Sequence, residues 1–384
     1  MKKKIKVLFL STDSSNNDYR KKHNKAGGIS QYRLLNPMKA LTNIECDYVG
    51  SDFNDGSDGI EMALWYKKRF EGYDMVISKI IDNPVAASGV RFMTEHLGIP
   101  LVVDIDDNIW EVKEDNPAYE EYQKGAPKLG FASSYVSLAD AVFTSTQPLA
   151  DYIKERFHNT KYGSDKIFVL PNCLDITQFD FPKAETDSDK IVIGWQGSIT
   201  HQEDLKMVMP AIMKLMKEYP NMYLELVGGI TEKQLPILFK GMTENMINRI
   251  SCKGGTLAYD TFPDLLSKQK WDIAIAPITD DLFNQSKSHI KWMEYAMMQI
   301  PCVASNVYPY REPIQGTEVI VDESTGILAK KNEWYDKLKD LIENKRKREI
   351  IGQNAYNFVT SNWDIYKHSF KWEEAIDKVL ATRD

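Results

Sequence analysis

KSHIKWMEYAMMQIPCVAS, residues Lys287 to Ser305, places two lysines and a glutamate among residues that otherwise read as a buried helix running into a buried strand. Ile290, Met293, Ala296, Met297 and Ile300 recur at three- and four-residue spacing and share one helical face, while Lys287, Lys291 and Glu294 fall on the opposite one. Upstream, WDIAIAP (Trp271 to Pro277) is a continuous apolar run of strand length, and Pro301 stops the helix before CVAS. The spacing predicts strand, loop, helix, strand: a βαβ unit. In such units ligands collect beyond the carboxyl ends of the strands, and anions favour a helix N-terminus, where free N–H groups and the helix dipole both point. Lys287 and Ser288 are expected in that first turn. Glu294, two turns on, has the wrong sign for phosphate but can accept hydrogen bonds from two sugar hydroxyls. Such a face suits a nucleotide or a phosphorylated sugar; the plainer alternative is a solvated face with a Lys291–Glu294 pair.

The same alternation extends in both directions. KVLFLST (Lys6 to Thr12), DMVISK (Asp74 to Lys79), PLVVDID (Pro100 to Asp106), AVFTST (Ala141 to Thr146) and IFVLPN (Ile167 to Asn172) are short apolar runs ending in polar residues, separated by helix-length segments such as Pro84 to Leu97. That pattern predicts a parallel, doubly wound α/β sheet. After CLDITQFDFPKAETDSDK, poor in periodicity and rich in Asp, Thr and Pro, the alternation restarts with IVIGWQGS (Ile191 to Ser198), MYLELVGG (Met222 to Gly229), ISCKGG (Ile250 to Gly255), WDIAIAP, PCVAS and EVIVDE (Glu318 to Glu323). The expected organisation is a first Rossmann-like domain over 1–178, a linker over 179–190 and a second Rossmann-like domain over 191–358. A C-terminal helix, 359–384, is expected to return to the first domain. Two parallel sheets would then face an interdomain cleft, a common place for ligand pockets. Glycine turns are expected at its edge: Gly27-Gly28 before ISQYRLLNPMKAL, Gly197-Ser198 at the end of a strand, and Gly255 at another.

With 384 residues, a formal charge of −7 and 43% hydrophobic content, the chain has ordinary globular composition, and its charge balance announces neither nucleic acid nor an anionic membrane. Lys2-Lys3-Lys4, Lys67-Lys68-Arg69 and Lys345-Arg346-Lys347-Arg348 are local basic clusters that read first as solvated faces. Cys46, Cys173, Cys252 and Cys302 are widely scattered, as expected of reduced thiols in a cytoplasmic protein. The apolar run Val7 to Leu10 is too short for a signal-peptide core, and no run approaches transmembrane length, so any membrane association is expected to be peripheral.

IFVLPNCLD, IVIGWQGS and KSHIKWMEYAMMQIPCVAS, in that order and spacing, resemble the retaining nucleotide-sugar glycosyltransferases of the GT-B fold, the family that includes bacterial mannosyltransferases and sucrose synthase. The resemblance covers nearly the whole chain. Pro171-Asn172 with Asp175 is similar to the P-N-G-V-D turn closing the first domain, and Gly27-Gly28 to the first-domain glycines near the donor sugar. Glu294 matches the second glutamate of the E-x(7)-E motif, which implies a contact to the donor ribose. The resemblance implies transfer of a sugar, with retention, from a nucleotide diphosphate donor, uridine-linked as in UDP-glucose, to a hydroxyl acceptor. It implies donor contacts at Gly27, Gly28, Gly197, Ser198, Gly255, Ser288, Lys291 and Glu294, and no metal or other cofactor.

Two departures stand out. The first glutamate of the motif falls at Ser286, and the Arg and Lys usual after the first strand of the second domain are replaced by GSITHQED, with His201 and no lysine. Lys287 or Lys291, with the amides at Ser198 and Ser288, are the candidates to meet the diphosphate. DIDD, Asp104 to Asp107, ends an apolar strand. It could hold a divalent cation, but by position it is similar to the family's acceptor-side H-D turn, which gives Asp106 or Asp107 the acceptor hydroxyl or the developing oxocarbenium charge. The expected catalytic set is Asp106, Asp107 and Lys287. Other readings are a non-catalytic sugar-nucleotide or glycan-binding subunit, and an epimerase, for which the six histidines offer no convincing acid/base pair. The acceptor (glycan, lipid-linked sugar, protein or modified DNA base) is not legible.

Overall fold

The computed structural model describes residues 4–12, 25–50, 59–160, 163, 165–182, 184–185, 189–255 and 258–382. Lys2 and Lys3 of the first basic cluster and part of the expected linker lie outside these residues. Six parallel strands, β1 (Lys6–Leu10), β2 (Glu45–Val49), β3 (Met75–Lys79), β4 (Leu101–Ile105), β5 (Ala141–Thr144) and β6 (Ile167–Val169), form a first sheet in the order β2-β1-β3-β4-β5-β6. A second sheet holds β7 (Ile191–Gly197), β8 (Met222–Gly228), β9 (Ile250–Gly254), β10 (Ile273–Ala276), β11 (Cys302–Ser305) and β12 (Ile327–Ala329), in the order β12-β11-β10-β7-β8-β9. The order reverses between β1 and β3 in one sheet and between β7 and β10 in the other. At such switch points neighbouring crossovers leave in opposite directions and open a crevice at the carboxyl ends of the strands.

Two strands differ from expectation. ECDYV, β2, carries charges at alternate positions and lies at the sheet edge, half-exposed, so it lacks the apolar run by which the other strands are recognised. EVIVDE is not a strand. Val319 and Ile320 are buried, but in the loop ahead of β12, and Ile327–Ala329 takes the sixth place instead.

Buried apolar side chains are continuous between the two sheets. One cluster runs from Phe9, Ile77 and Phe143 to Ala274, Trp292 and Ala304, joined through Trp363 and Trp372. Each fully buried Ile or Phe of this kind contributes about 1.5–3 kcal/mol, so the halves are cemented along one side of the cleft. The chain crosses between them twice, side by side: the Leu174 N–H donates to the Trp363 carbonyl (2.9 Å) and the Ile365 N–H to the Leu174 carbonyl (2.7 Å). Beyond that crossing the helix Ile365–Ala381 lies on the first half, where Trp372 meets Phe143 edge-on.

Candidate functional site

The carboxyl ends of β4 and β7 meet at a cavity of about 370 Å³. β4 delivers Asp106 and Asp107, and β7 delivers Gln196, Gly197 and Ser198. Lys291 and Glu294 come from the helix Ile290–Met297, and Lys287 and Ser288 from the turn before it. Of the residues singled out in the sequence, Asp106, Asp107, Lys287, Gly28, Gly197, Ser198, Ser288, Lys291 and Glu294 line this cavity. Gly27 and Gly255 do not. Gly27 precedes the first helical segment (Gly28–Ser30, the π-turn Gln31–Leu35 and Asn36–Ala40), and its carbonyl accepts the Gln31 N–H at 3.0 Å. Gly255 stands past β9, where an added Cβ would lie 3.1 Å from the Gly228 Cα.

The helix starts later than its pattern predicts. Asp281 caps a separate short helix, Leu282–Gln285, by accepting the Asn284 N–H (3.0 Å), and Ser286 to His289 then form the turn into Ile290. Lys287 and Ser288 are therefore not in a helical first turn. Nor are the charges on a solvated face: Lys291 is 8% exposed and Glu294 3%.

Lys291 is the electrostatic oddity of the site. Among the described residues its Nζ has no hydrogen-bond partner; it lies 5.4 Å from the centre of the Trp195 ring. A Cβ on Gly197 would meet the Trp195 indole at 2.6 Å and Lys291 Nζ at 3.2 Å, so the glycine leaves room for both. Burial lowers the ammonium pKa to about 8, with the Lys287 charge adding to the effect and Asp204 and Glu294 opposing it. Glu294 is displaced the other way, up to about 7, chiefly by burial, with the hydrogen bond from Tyr32 and the charge of Lys291 pulling back. It accepts the Tyr32 hydroxyl from across the cleft and the Gln196 amide at 2.7 Å. His201, set by its Nδ1 on Asp204 at 2.8 Å, is driven down to about 4 by burial and by Lys291, and is neutral at pH 7.

On the opposite wall every carboxylate of DIDD has a cation. Asp104, fully buried, takes Arg33 through Nη2 (2.7 Å) and Nε (3.1 Å) and Lys79 at 3.3 Å; Asp106 takes Lys79; Asp107 takes Lys287 at 2.9 Å across the cleft. Burial, with Asp107 and Asp104 adding, holds the Asp106 carboxyl above its ordinary range against Lys79. Burial acts on Asp107 too, yet Lys287, by charge and hydrogen bond and with Lys79 adding, holds it below its ordinary range. Arg33 further reaches the Leu170 carbonyl and Asn172 Oδ1 (3.0 Å), whose amide donates to Ser288 Oγ at 2.8 Å. This relay runs from the end of β4 to the turn before the helix Ile290–Met297. Among the described residues no three His, Cys, Asp or Glu side chains are grouped to hold a metal ion.

Ser286, standing where the family motif has its first glutamate, does not line the cavity. It is buried in the seam between the halves: its hydroxyl accepts from Asn108 (3.2 Å) and its carbonyl from Thr146 (2.8 Å). Tyr32, Arg33, Gln196 and Tyr259, all on the wall, carried no signal in the sequence. Tyr32 and Tyr259 are 227 positions apart and meet only through the fold.

Two six-stranded parallel sheets facing each other across a cleft at their carboxyl ends give this chain the GT-B fold. Within that class, residues 176–358 match the model of the family Glycosyl transferases group 1. Over 269 residues, 67% of the chain, the sequence is 24% identical to an uncharacterized glycosyltransferase of Methanocaldococcus jannaschii, the match spanning 62% of that relative. The structure of HepE from Anabaena in complex with UDP-glucose is similar with a TM-score of 0.64 at 15% identity, covering 97% of this chain and 100% of that one. The pneumococcal O-GlcNAc transferase GtfA, in complex with UDP and GlcNAc, is similar at 0.55 and 14% identity, covering 83% and 59%. These structural likenesses show the shared fold.

Proposed function

We propose that the protein transfers a sugar from a uridine diphosphate donor to a hydroxyl acceptor bound in the cleft, with retention of configuration and without a metal ion. The observation that carries this is the buried ammonium of Lys291, unpartnered among the described residues and facing a cavity at the switch point of the second sheet. An ion in that position is stabilised by an arriving anion, and charge-assisted contacts of this kind are the strong ones. The diphosphate lies against Lys291 and the amides at Gly197 and Ser198, with Lys287 at its far side, and Glu294 accepts from the ribose. The acceptor enters from the first sheet, where Asp106 and Asp107 orient its hydroxyl and face the charge that develops on the sugar. The leaving diphosphate takes the acceptor proton. Bound UDP in two proteins of this fold supports the nucleotide assignment, and four free cysteines suit a cytoplasmic setting.

The test is a panel of nucleotide sugars scored by thermal stabilisation, followed by donor hydrolysis without acceptor, with and without EDTA. Stabilisation by uridine-linked donors and EDTA-insensitive hydrolysis are expected. Binding without any hydrolysis or transfer would make this a sugar-nucleotide-binding subunit, and loss with EDTA restored by manganese would move DIDD to the centre of the chemistry.

A further inference from the structure

We propose that Tyr32 is a positioning residue for the donor: its hydroxyl, crossing from the first domain, aims the Glu294 carboxylate at the nucleotide, so that recognition of the ribose depends on a closed cleft. The inference rests on the donor reading above. Tyr32 lies in the π-turn Gln31–Leu35, a stretch in which one helical turn is wound wider than the α-helix on either side. It is 6% exposed, packs edge-on against Tyr259 with ring centres 4.9 Å apart, and donates to Glu294; its hydroxyl also meets that of Tyr259. The Tyr259 N–H in turn donates to the Ala26 carbonyl at 3.1 Å, and Lys25 pairs with Asp260 at 2.7 Å, so this corner is tied across the cleft at several points. Glu294 and Gln196 belong to the second domain, Tyr32 to the first. Loss of the Tyr32 hydroxyl alone would remove one of the two hydrogen bonds on a carboxylate that is almost wholly buried, and a buried carboxylate with fewer donors favours its protonated form.

The groups that face Glu294 are few. Tyr32 comes from the first helical segment, Tyr259 from the turn before Phe262, Lys291 and Tyr295 from its own helix, and Tyr310 from the loop after β11. Burial holds all four tyrosines well above their ordinary range, so they stay neutral near pH 7, and Lys291 stays charged until about pH 8. Near pH 7 the carboxylate is thus the member of this corner that titrates, and the Tyr32 hydrogen bond is the contact favouring its charged form most, ahead of the Lys291 charge. Among ribose-facing acceptors a charged carboxylate binds hydroxyls more strongly than a neutral acid.

UDP binding measured by calorimetry from pH 6 to 8.5 on the parent, Glu294→Gln and Tyr32→Phe tests this. Tyr32→Phe keeps the ring, and a thermal melt confirms folding. In the parent, affinity should rise with pH through about 7, and Glu294→Gln should flatten that rise; titration of the UDP terminal phosphate is common to all three proteins and cancels in the comparison. Tyr32→Phe should weaken UDP at pH 7 by roughly three- to tenfold and move the midpoint alkaline by about half a pH unit or more. A weaker but unshifted profile, or parental behaviour, overturns the role of Tyr32. A parent that does not bind UDP overturns the donor assignment itself, and this inference with it.

Discussion

Lys291→Met should make the free protein more stable and the donor complex weaker, and the two effects should come from the same atom. The lysine pKa falls from 10.5 to about 8 on folding. About 2.5 units at about 1.4 kcal/mol each gives on the order of 3 kcal/mol. The sign follows from proton counting. Below pH 8 both folded and unfolded chains hold the proton, and the folded state bears the whole cost of the buried charge. Between pH 8 and 10.5 only the unfolded chain holds it, so stability gains with pH until the cost is gone. At pH 7 methionine, similar in length and uncharged, removes the penalty while keeping contact with Trp195. Domains of 150–250 residues shift by about 2–4 °C per kcal/mol, so a Tm rise of roughly 6–12 °C is expected by calorimetry. UDP should give the opposite result. A ligand at a hundred times its Kd adds about 2.7 kcal/mol to a protein that binds it, and most of that stabilisation should vanish in the variant. An unchanged or lower Tm together with parental stabilisation by UDP would refute the assignment of Lys291 as an anion site held open at the expense of stability.

Further outcomes follow from the same geometry. UDP affinity in the parent should decline above about pH 8 as Lys291 gives up its proton in the free protein, by at most about tenfold per pH unit for a single group; calorimetry at pH 8 and 9.5 checks this, and Lys291→Met should show no such decline. Lys287→Ala should lower kcat by about a hundredfold or more, because charge on the leaving group grows in the transition state. Loss of the Asp107 partner should make Asp107→Asn and the double variant non-additive in steady-state kinetics. Arg33→Met leaves Asp104 buried with only Lys79, and denaturant unfolding should show a loss of about 3–5 kcal/mol.

Much of the architecture was legible because it is written in local periodicity. Apolar runs such as WDIAIAP and IVIGWQGS mark buried parallel strands, and their alternation with helix-length segments predicts two doubly wound sheets wherever their strands end up pairing. β2 escaped because an edge strand needs no apolar run, and EVIVDE misled because a buried loop shows the same hydrophobicity as a strand. The strand-end residues Asp106, Asp107, Gly197 and Ser198, and the Lys287 to Glu294 stretch, could be nominated for a similar reason: in a parallel sheet the carboxyl ends share one edge, so position along the strand is position relative to the cleft. Their electrostatics could not be foreseen. Spacing put Lys291 and Glu294 on a common face, but only the packing of that face against the end of β7 buries both and moves their pKa values towards each other, one down and one up. Tyr32 on Glu294 and Lys287 on Asp107 join residues 262 and 180 positions apart, one from each domain. A contact of that kind is decided by how two domains dock, and desolvation, which sets the strength of each charge in the cleft, exists only once they have.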